Sequence, residues 1–545
     1  MTPPLKRTLL SRSIVAGALG LAFALAALVV FVVRGIDAPA REAPAGEDAL
    51  ALLLDRVLQR GERGNSPGLA LRPLATPPED GEAAALAGAV CESMASRLVR
   101  VPGLRVASCR STGVALAADL DDRALSRLLA IDHVMTGEIR TLPAGRLHLR
   151  LELRDARDGS RRWAIDEQMA LPDLQALPVR VSSATGAALG IADAPPPPPP
   201  IDPEAHVRYM RARELARRPS IDDRRAAVRL LDEVLAVEPD HLESRFLQHN
   251  VKGWLLGNDG SGGSVESLNA ARAANVAEGL ALARRLVEAD PQDVRAQWLL
   301  LADEIELRQW ADGFRRLGRM VQANPRQPGV LRLSARMHIH AGYLARAREL
   351  AIAAARLNAL DADAYEILAL VAGMQRRDAE MREFIAIARQ VGHEGLGPVQ
   401  LVEAWRRRDW AEVERVHTAW IGWGGQWSAE WVPAWVRGLA DPSERETAAQ
   451  LLDAHDPATR QHFVSYLLEY ALLGDFARSV KSLRHHAKMP PATWMQNLWW
   501  PELAEVRRSP AFIEAMNDLG FTGLWDAYGA PDLCQRGAGG AWSCR

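Results

Sequence analysis

The sequence predicts a multidomain chain: a single transmembrane helix, then a small α/β domain, then an all-α superhelix of stacked helix pairs. Three observations predict it. Ile14 to Val33 is an uninterrupted apolar run, Leu147 to Arg154 alternates leucine with polar residues, and helix-end signals beyond residue 203 recur every 34 residues.

The apolar run comes first. Its twenty residues hold neither charge nor proline, and as a helix they reach about 30 Å, the thickness of a bilayer's hydrocarbon core. The tail 1–13 carries Lys6, Arg7 and Arg12, and positive charge beside a span stays on the cytoplasmic side. The expectation is a single-pass inner-membrane protein with a cytoplasmic amino terminus and a periplasmic bulk. The alternative is a secretory signal cleaved near Ala38-Pro39-Ala40, although the apolar region of such signals is usually about 7 to 15 residues. Residues 34–68 read as a stalk, with one short helix, Asp48 to Gln59, inside it.

Composition excludes some partners and favours a compartment. With 66 basic against 68 acidic residues and a formal net charge of −2, the chain has no field to gather nucleic acid, so none is expected. The four cysteines fall into two local pairs, Cys91 with Cys109 and Cys534 with Cys544, as disulfides of an oxidising compartment would. Buried free thiols are the alternative. Neither pair has the CxxC spacing of a zinc site.

Residues 69–192 read as the α/β unit. Leu69 to Leu74 is a short strand, and Gly81 to Arg100 has helical spacing through Leu86, Val90, Met94 and Leu98. Leu104 to Ser108 is a second strand, and Asp122 to Leu129 a short helix with an acidic start. After Val134 to Arg140, leucines 147, 149, 151 and 153 alternate with His148, Arg150, Glu152 and Arg154, a half-buried strand. Asp158-Gly159 turns the chain back into Arg161 to Met169. A helix runs antiparallel to the strand it feeds, so Cys91, placed near the helix start, is expected to meet Cys109 at the strand end. Closing that loop is worth about 3 kcal/mol in the chain-entropy model.

Several motifs carry a family resemblance. Pro102-Gly103-Leu104-Arg105-Val106, Asp132 through Arg140, and Gly145-Arg146-Leu147 through Asp158-Gly159 and Trp163 resemble the TolB amino-terminal-like domain. The resemblance covers Leu69 to Ile191. It implies a small sheet with helices on it and an interaction or sensory role, with no catalytic residues to transfer.

The hexaproline run Pro195 to Pro200 lies in a linker, residues 193–202, that neither helix nor sheet crosses. In residues 203–391, Pro291, Pro325 and Ala359 stand 34 residues apart, and twelve residues before each stands a small residue, Gly279, Gly313 and Ala347. Ala227 and Pro239 repeat the pair, displaced by an insertion whose Gly257 to Ser264 reads as a loop. This is the tetratricopeptide period. The small residue admits a close helix neighbour, and the proline suits the first turn of the next helix. Stacking such pairs produces a superhelix with a concave face.

Residues 392–545 read as irregular helical repeats and a cap. Trp405, Trp410, Trp420, Trp423, Trp427, Trp431 and Trp435 crowd one segment. Trp423, Trp427 and Trp431 are candidates for an aromatic binding platform; core packing is the alternative. Leu498 through Leu503, Arg507 through Phe512, Leu519-Gly520-Phe521, and Trp525 through Gly529 with Pro531-Asp532-Leu533-Cys534 resemble the closing segment of the same TolB-like and tetratricopeptide membrane proteins. Many of those carry a winged-helix or cyclase domain before the span, where this chain has thirteen residues, so the resemblance does not extend to that output.

Chemistry is sparse. Gly257 to Ser264 lacks the lysine of a phosphate loop. His338 with His340, and His485 with His486, lack the spacing of a zinc helix and read as surface or capping residues. No nucleophile elbow is present. The expectation is a non-enzymatic scaffold without cofactor or metal, holding a protein or peptide on its concave face. The alternative is a sensor that relays a signal through the span to a separate cytoplasmic effector.

Overall fold

The computed structural model describes residues 67–545 except 108, 110, 114–121, 130, 192–199, 219, 259–264, 291–292, 394–395, 422–428, 456–465 and 489–492. All of these belong to one compact unit, Leu58–Arg545. The described chain is mostly helical, with one small mixed sheet.

The α/β part contains β1 (Gly68–Leu71), α1 (Gly81–Leu98), β2 (Arg105–Ala107), α2 (Asp122–Leu129), β3 (His133–Leu142), β4 (Arg146–Asp155), β5 (Arg161–Ala170) and α3 (Leu177–Leu189). The sheet order is β2-β1-β3-β4-β5; β1 runs parallel to both its neighbours, and β3 to β5 form an antiparallel meander. The leucine alternation decides which face is buried. Leu147, Leu149, Leu151 and Leu153 all point into the core, with Ile139 opposite Leu149 and Met135 opposite Leu153. α1 and α3 cover that face with Leu86, Val90, Met94, Leu177 and Val181. Gly137 sits opposite Leu151, where a Cβ would stand 2.5 Å from the Arg150 carbonyl oxygen, so only glycine lets the strands approach there. Asp80 caps α1 by accepting from the Ala83 amide at 2.9 Å, and also accepts from the Thr141 amide and hydroxyl at 2.6 and 2.8 Å. One carboxylate thus ties the start of α1 to the end of β3, and these bonds hold it below the usual carboxylate range.

The Cys91–Cys109 disulfide is formed, with 6.2 Å between Cα atoms. Its placement differs from the expectation. Cys91 lies in the middle of α1 rather than near its start, and Cys109 lies beyond the end of β2.

Helix pairs follow: α4 (Pro203–Arg217) with α5 (Ile221–Val237), α6 (Leu242–Asn258) with α7 (Val265–Ala289), α8 (Val294–Glu306) with α9 (Trp310–Ala323), α10 (Pro328–Ala341) with α11 (Leu344–Leu357), and α12 (Ala362–Met374) with α13 (Asp378–Gln390). Pairing continues with α14 (Gly397–Arg406) and α15 (Trp410–Ile421), α16 (Val432–Ala440) and α17 (Arg445–His455), then α18 (Leu467–Leu473) and α19 (Phe476–His486). First helices start at 294, 328 and 362 and second helices at 310, 344 and 378, an interval of 34 in both series.

The turn inside each of these pairs repeats as well. Arg308, Gly342, Arg376 and Arg408 all have positive φ, between 57° and 87°. The amide of the next residue reaches back to the carbonyl five residues earlier, Gln309 to Glu304, Tyr343 to His338, Arg377 to Ala372 and Asp409 to Ala404. This is the Schellman stop, and it forces the left-handed residue even where the residue is arginine.

The small residues serve as the spacing implied. Ala227 and Ala347 are fully buried. A Cβ on Gly313 would stand 3.2 Å from Leu301 of α8, and one on Gly279 2.7 Å from His249 of α6. The prolines do not. Pro239 and Pro325 lie in the turns between pairs, as does buried Ala359, and it is Pro328, three residues after Pro325, that stands in the first turn of α10. Pro291 lies outside the described residues.

Two boundaries expected from composition are not packing boundaries. After the proline linker, α4 turns back onto α1: Met210 joins the α/β core, Arg211 pairs with Glu82 at 3.2 Å, and Gly88 leaves room for Glu214. At the other end, the 3-10 turn Thr493–Trp499, α20 (Ala504–Arg508), α21 (Pro510–Asp518), α22 (Phe521–Tyr528) and the hairpin of β6 (Cys534–Arg536) and β7 (Trp542–Cys544) follow, and this segment folds back onto α9 to α12.

The expected single-pass inner-membrane architecture, with a cytoplasmic amino terminus and periplasmic bulk, is corrected here. Among the described residues no helix is long and apolar enough to cross a membrane. The longest, α7, carries Glu266, Arg272, Glu278, Arg284, Arg285 and Glu288 along its length, charges that a bilayer core does not accept. Ile14 to Val33 itself, the tail before it, the stalk up to residue 66 and the helix Asp48 to Gln59 within it lie outside the described residues, and Gly68, read as the end of the stalk, already belongs to β1.

Candidate functional site

The helix pairs present two rows of turns, and each row meets a different part of the chain. Turns between pairs meet the α/β part. The Asn358 side-chain amide, in the α11–α12 turn, donates to the Ser111 hydroxyl at 2.7 Å. Beside this contact lies a cleft of about 330 Å³, lined by Val99 to Ala107, Leu129 and Ile131 on one side and by Ala323 to Pro328 and Leu357 on the other. Among the described residues its lining includes Arg100, Arg105 and Arg326 and no Asp or Glu. Val99 and Leu129 add apolar surface. The turn at Pro102-Gly103, with Gly103 at φ 80°, shapes one wall, and the Asn324-Pro325 turn the other. Such a cleft suits an extended segment that combines carboxylates with apolar side chains.

Turns inside pairs meet the carboxyl-terminal segment, and this contact is built like a core. Trp499, Trp500, Trp525, Phe512 and Phe521 are all at most 1% exposed. Three indole N–H groups donate to main-chain oxygens across the contact: Trp310 to Leu519 at 2.7 Å, Trp499 to His340 at 3.1 Å and Trp525 to Ala341 at 3.1 Å. Gly342 has Trp499 where a Cβ would be, at 2.7 Å, and Gly373 has Trp500 at 2.6 Å. The Glu502 carboxylate, 2% exposed, accepts from the Arg406 guanidinium at 2.9 and 3.2 Å. Arg406 also reaches Asp378 and the Gly373 carbonyl. Buried Arg507 donates to the Leu498 and Trp500 carbonyls at 2.9 and 2.6 Å and to the Arg545 main-chain oxygen at 2.8 Å. Burial pushes its guanidinium down to about 10.

The proposed aromatic platform divides. Trp423 and Trp427 lie outside the described residues. Trp431 is buried, with Tyr466, His417 and Trp435 around it at ring distances of 5.0, 5.3 and 6.1 Å, which is packing rather than an open surface. Both candidate disulfides are formed; Cys534–Cys544 closes the β6–β7 hairpin with 4.0 Å between Cα atoms.

Two histidines expected at the surface are interior. His340 is buried and pushed down to about 3 by desolvation, and His486 is fully buried with its Nδ1 2.8 Å from the Ser482 carbonyl oxygen. Which histidine of a helix faces inward depends on its neighbours, and spacing alone did not say. Another interior group is Asp303 in α8, close to Gly279 of α7. Burial, with Glu304 and Glu306 nearby, pushes its carboxyl up to about 7.

Sequence reading missed Arg100, Arg105 and Arg326. A signal existed, since a basic residue flanks each of the turns Pro102-Gly103 and Asn324-Pro325, but more than 200 positions separate the two turns and only the fold brings them to one cleft. Among the described residues no group of three or more His, Cys, Asp and Glu is placed to hold a metal ion. No protein-family model and no curated protein matches this chain.

Proposed function

We propose that this chain is a non-enzymatic protein-binding scaffold, a helical array of tetratricopeptide type joined to a TolB-like α/β domain, and that the basic cleft between them takes an acidic peptide segment of a partner protein. The observation that carries the reading is the 34-residue interval, kept by both helix series and by the left-handed residue of the turns at 308, 342 and 376. Arrays of this kind present extended surfaces built from neighbouring repeats. The cleft adds what a bare array lacks, a bounded site lined by arginines and apolar side chains.

The location of that site differs from the concave face expected at first. The 3-10 turn at Thr493–Trp499 packs on α10, and Gln496 meets Arg336 there at 3.4 Å, so the chain itself fills part of the array.

The test is to pan a displayed random-peptide library against the full-length chain and against its Arg100→Glu/Arg326→Glu variant. Enrichment of peptides pairing Asp or Glu with apolar residues, lost in the variant, supports the reading. Enriched peptides that bind both proteins equally, or no enrichment, sinks the cleft as the site.

A further inference from the structure

The two disulfides stand in opposite surroundings. Cys91–Cys109 is part of the α/β core, at 1% and 6% exposure, packed with Leu86, Val90 and Met94. Cys534–Cys544 closes a hairpin of three residue pairs whose other residues are mostly exposed, and Cys544 is itself half-buried. A two-stranded hairpin of this length does not hold itself together in water. The hairpin is therefore kept in place by the bond together with its contacts: Trp542 Nε1 donates to Asp526 at 3.1 Å, Trp542 packs on Trp525, Arg536 pairs with Asp526 at 3.2 Å, the Arg545 amide donates to the Leu533 carbonyl at 2.9 Å, and β7 lies against α20 and α21.

One further contact matters beyond the hairpin. The Arg545 main-chain oxygen, next to Cys544, is one of three acceptors around buried Arg507. The other two are carbonyls at Leu498 and Trp500, on either side of Trp499, with Glu502 two residues beyond Trp500. The hairpin, Arg507 and the tryptophans that cover the turns are thus one contiguous packed path.

We propose that Cys534–Cys544 is a thiol–disulfide exchange site, a covalent lock whose opening by a dithiol reductant loosens the carboxyl-terminal segment from the turns of the array. A thiolate of the dithiol attacks the accessible Cys544 sulfur. The S–S bond breaks, and Cys534 leaves as a thiolate that takes up a proton. The second thiol of the reductant then attacks the mixed disulfide, freeing Cys544 as a thiol. Two electrons and two protons pass to the protein, and the reductant leaves as its own disulfide. Residues 534–545 then lose the bond that fixes the Arg545 oxygen on Arg507, and a buried guanidinium short of an acceptor opens toward water. Cys91–Cys109 stays closed because no nucleophile reaches it without unfolding of the α/β core.

The experiment incubates the native full-length protein with dithiothreitol for increasing times, traps free thiols with iodoacetamide and maps them by peptide mass. Parallel samples receive brief trypsin. Cys534 and Cys544 are expected to label at least about tenfold faster than Cys91 and Cys109. Cleavage after Arg507, absent in the oxidised protein, is expected to appear in step with that labelling. The Cys534→Ser/Cys544→Ser variant should show the same cleavage without reductant. Equal labelling rates for the two pairs would overturn the site. Selective reduction with Arg507 still protected would overturn the lock, and that arm needs only the wild-type chain.

Discussion

The two rows of turns on the array make contacts of different kinds. The row between pairs meets the α/β part at the side-chain hydrogen bond from Asn358 to Ser111, beside an open cleft. The row inside pairs meets the carboxyl-terminal segment through buried aromatic rings, three indole hydrogen bonds and a buried Arg406–Glu502 pair. The difference shows that a contact remote in sequence is not thereby a loose one. The buried residues between Met495 and Trp525 are part of the array's core, whereas the nearer α/β part leaves a gap at its second contact. A surface that has to admit a partner belongs on the open row, and the filled row is closed to one while the segment is in place.

The largest effect that tests this contrast is expected from Glu502→Ala. It leaves buried Arg406 with only Asp378 and the Gly373 carbonyl as acceptors, so urea unfolding should show a loss of about 3 kcal/mol. A loss under about 1 kcal/mol would reduce the filled row to a surface contact.

Asp303→Asn provides a reference away from both rows. The carboxyl is raised from 3.8 to about 7, so between these values the folded chain holds a proton that the unfolded chain has released. Stability from this group is therefore highest below pH 4 and falls as pH rises toward 7. An amide imitates the protonated form, and Asp303→Asn should stabilise the protein by on the order of 1 kcal/mol at pH 8 and by little near pH 4. Thermal unfolding at both pH values checks the sign. Equal effects at both would mean that Asp303 stays ionised.

Asn358→Ala removes the bond to Ser111 and the one its side-chain oxygen accepts from the Leu360 amide, and should cost about 1 to 2 kcal/mol. A cost near that of Glu502→Ala would make the two rows equivalent and break the comparison. Smallest in stability is Arg326→Glu, exposed on the cleft, expected within about 0.5 kcal/mol of wild type by the same urea titration. Isothermal titration with an acidic peptide selected on the wild-type chain should nevertheless show weaker binding. Unchanged affinity would leave the cleft without a role in recognition.

Legibility followed the range of the interaction that decides each feature. The helix Asp122 to Leu129 was read to the residue, because its acidic start and spacing are local. Leu147 to Leu153 were read as the inward face because a period of two admits one buried side. The first-turn role assigned to Pro325 failed: the period was right but its phase against the helix starts was three residues off, and Pro328 holds that place. The membrane architecture expected from Ile14 to Val33 finds no spanning helix among the described residues. For Trp431 and His340 the residue types were plain, but which neighbours would bury them was not.

The sequence by itself therefore determined the five strands of the α/β part, its first two helices, the 34-residue interval and both disulfide pairings, because each rests on periodicity or on partners within a few tens of residues. The tertiary structure alone decided that α4 returns onto α1, that tryptophans 499 and 500 fill the space beside glycines 342 and 373, and that arginines 100 and 326 share a cleft. These depend on how successive helix pairs rotate against one another. That rotation is summed over many small packing choices, and no local pattern records the sum.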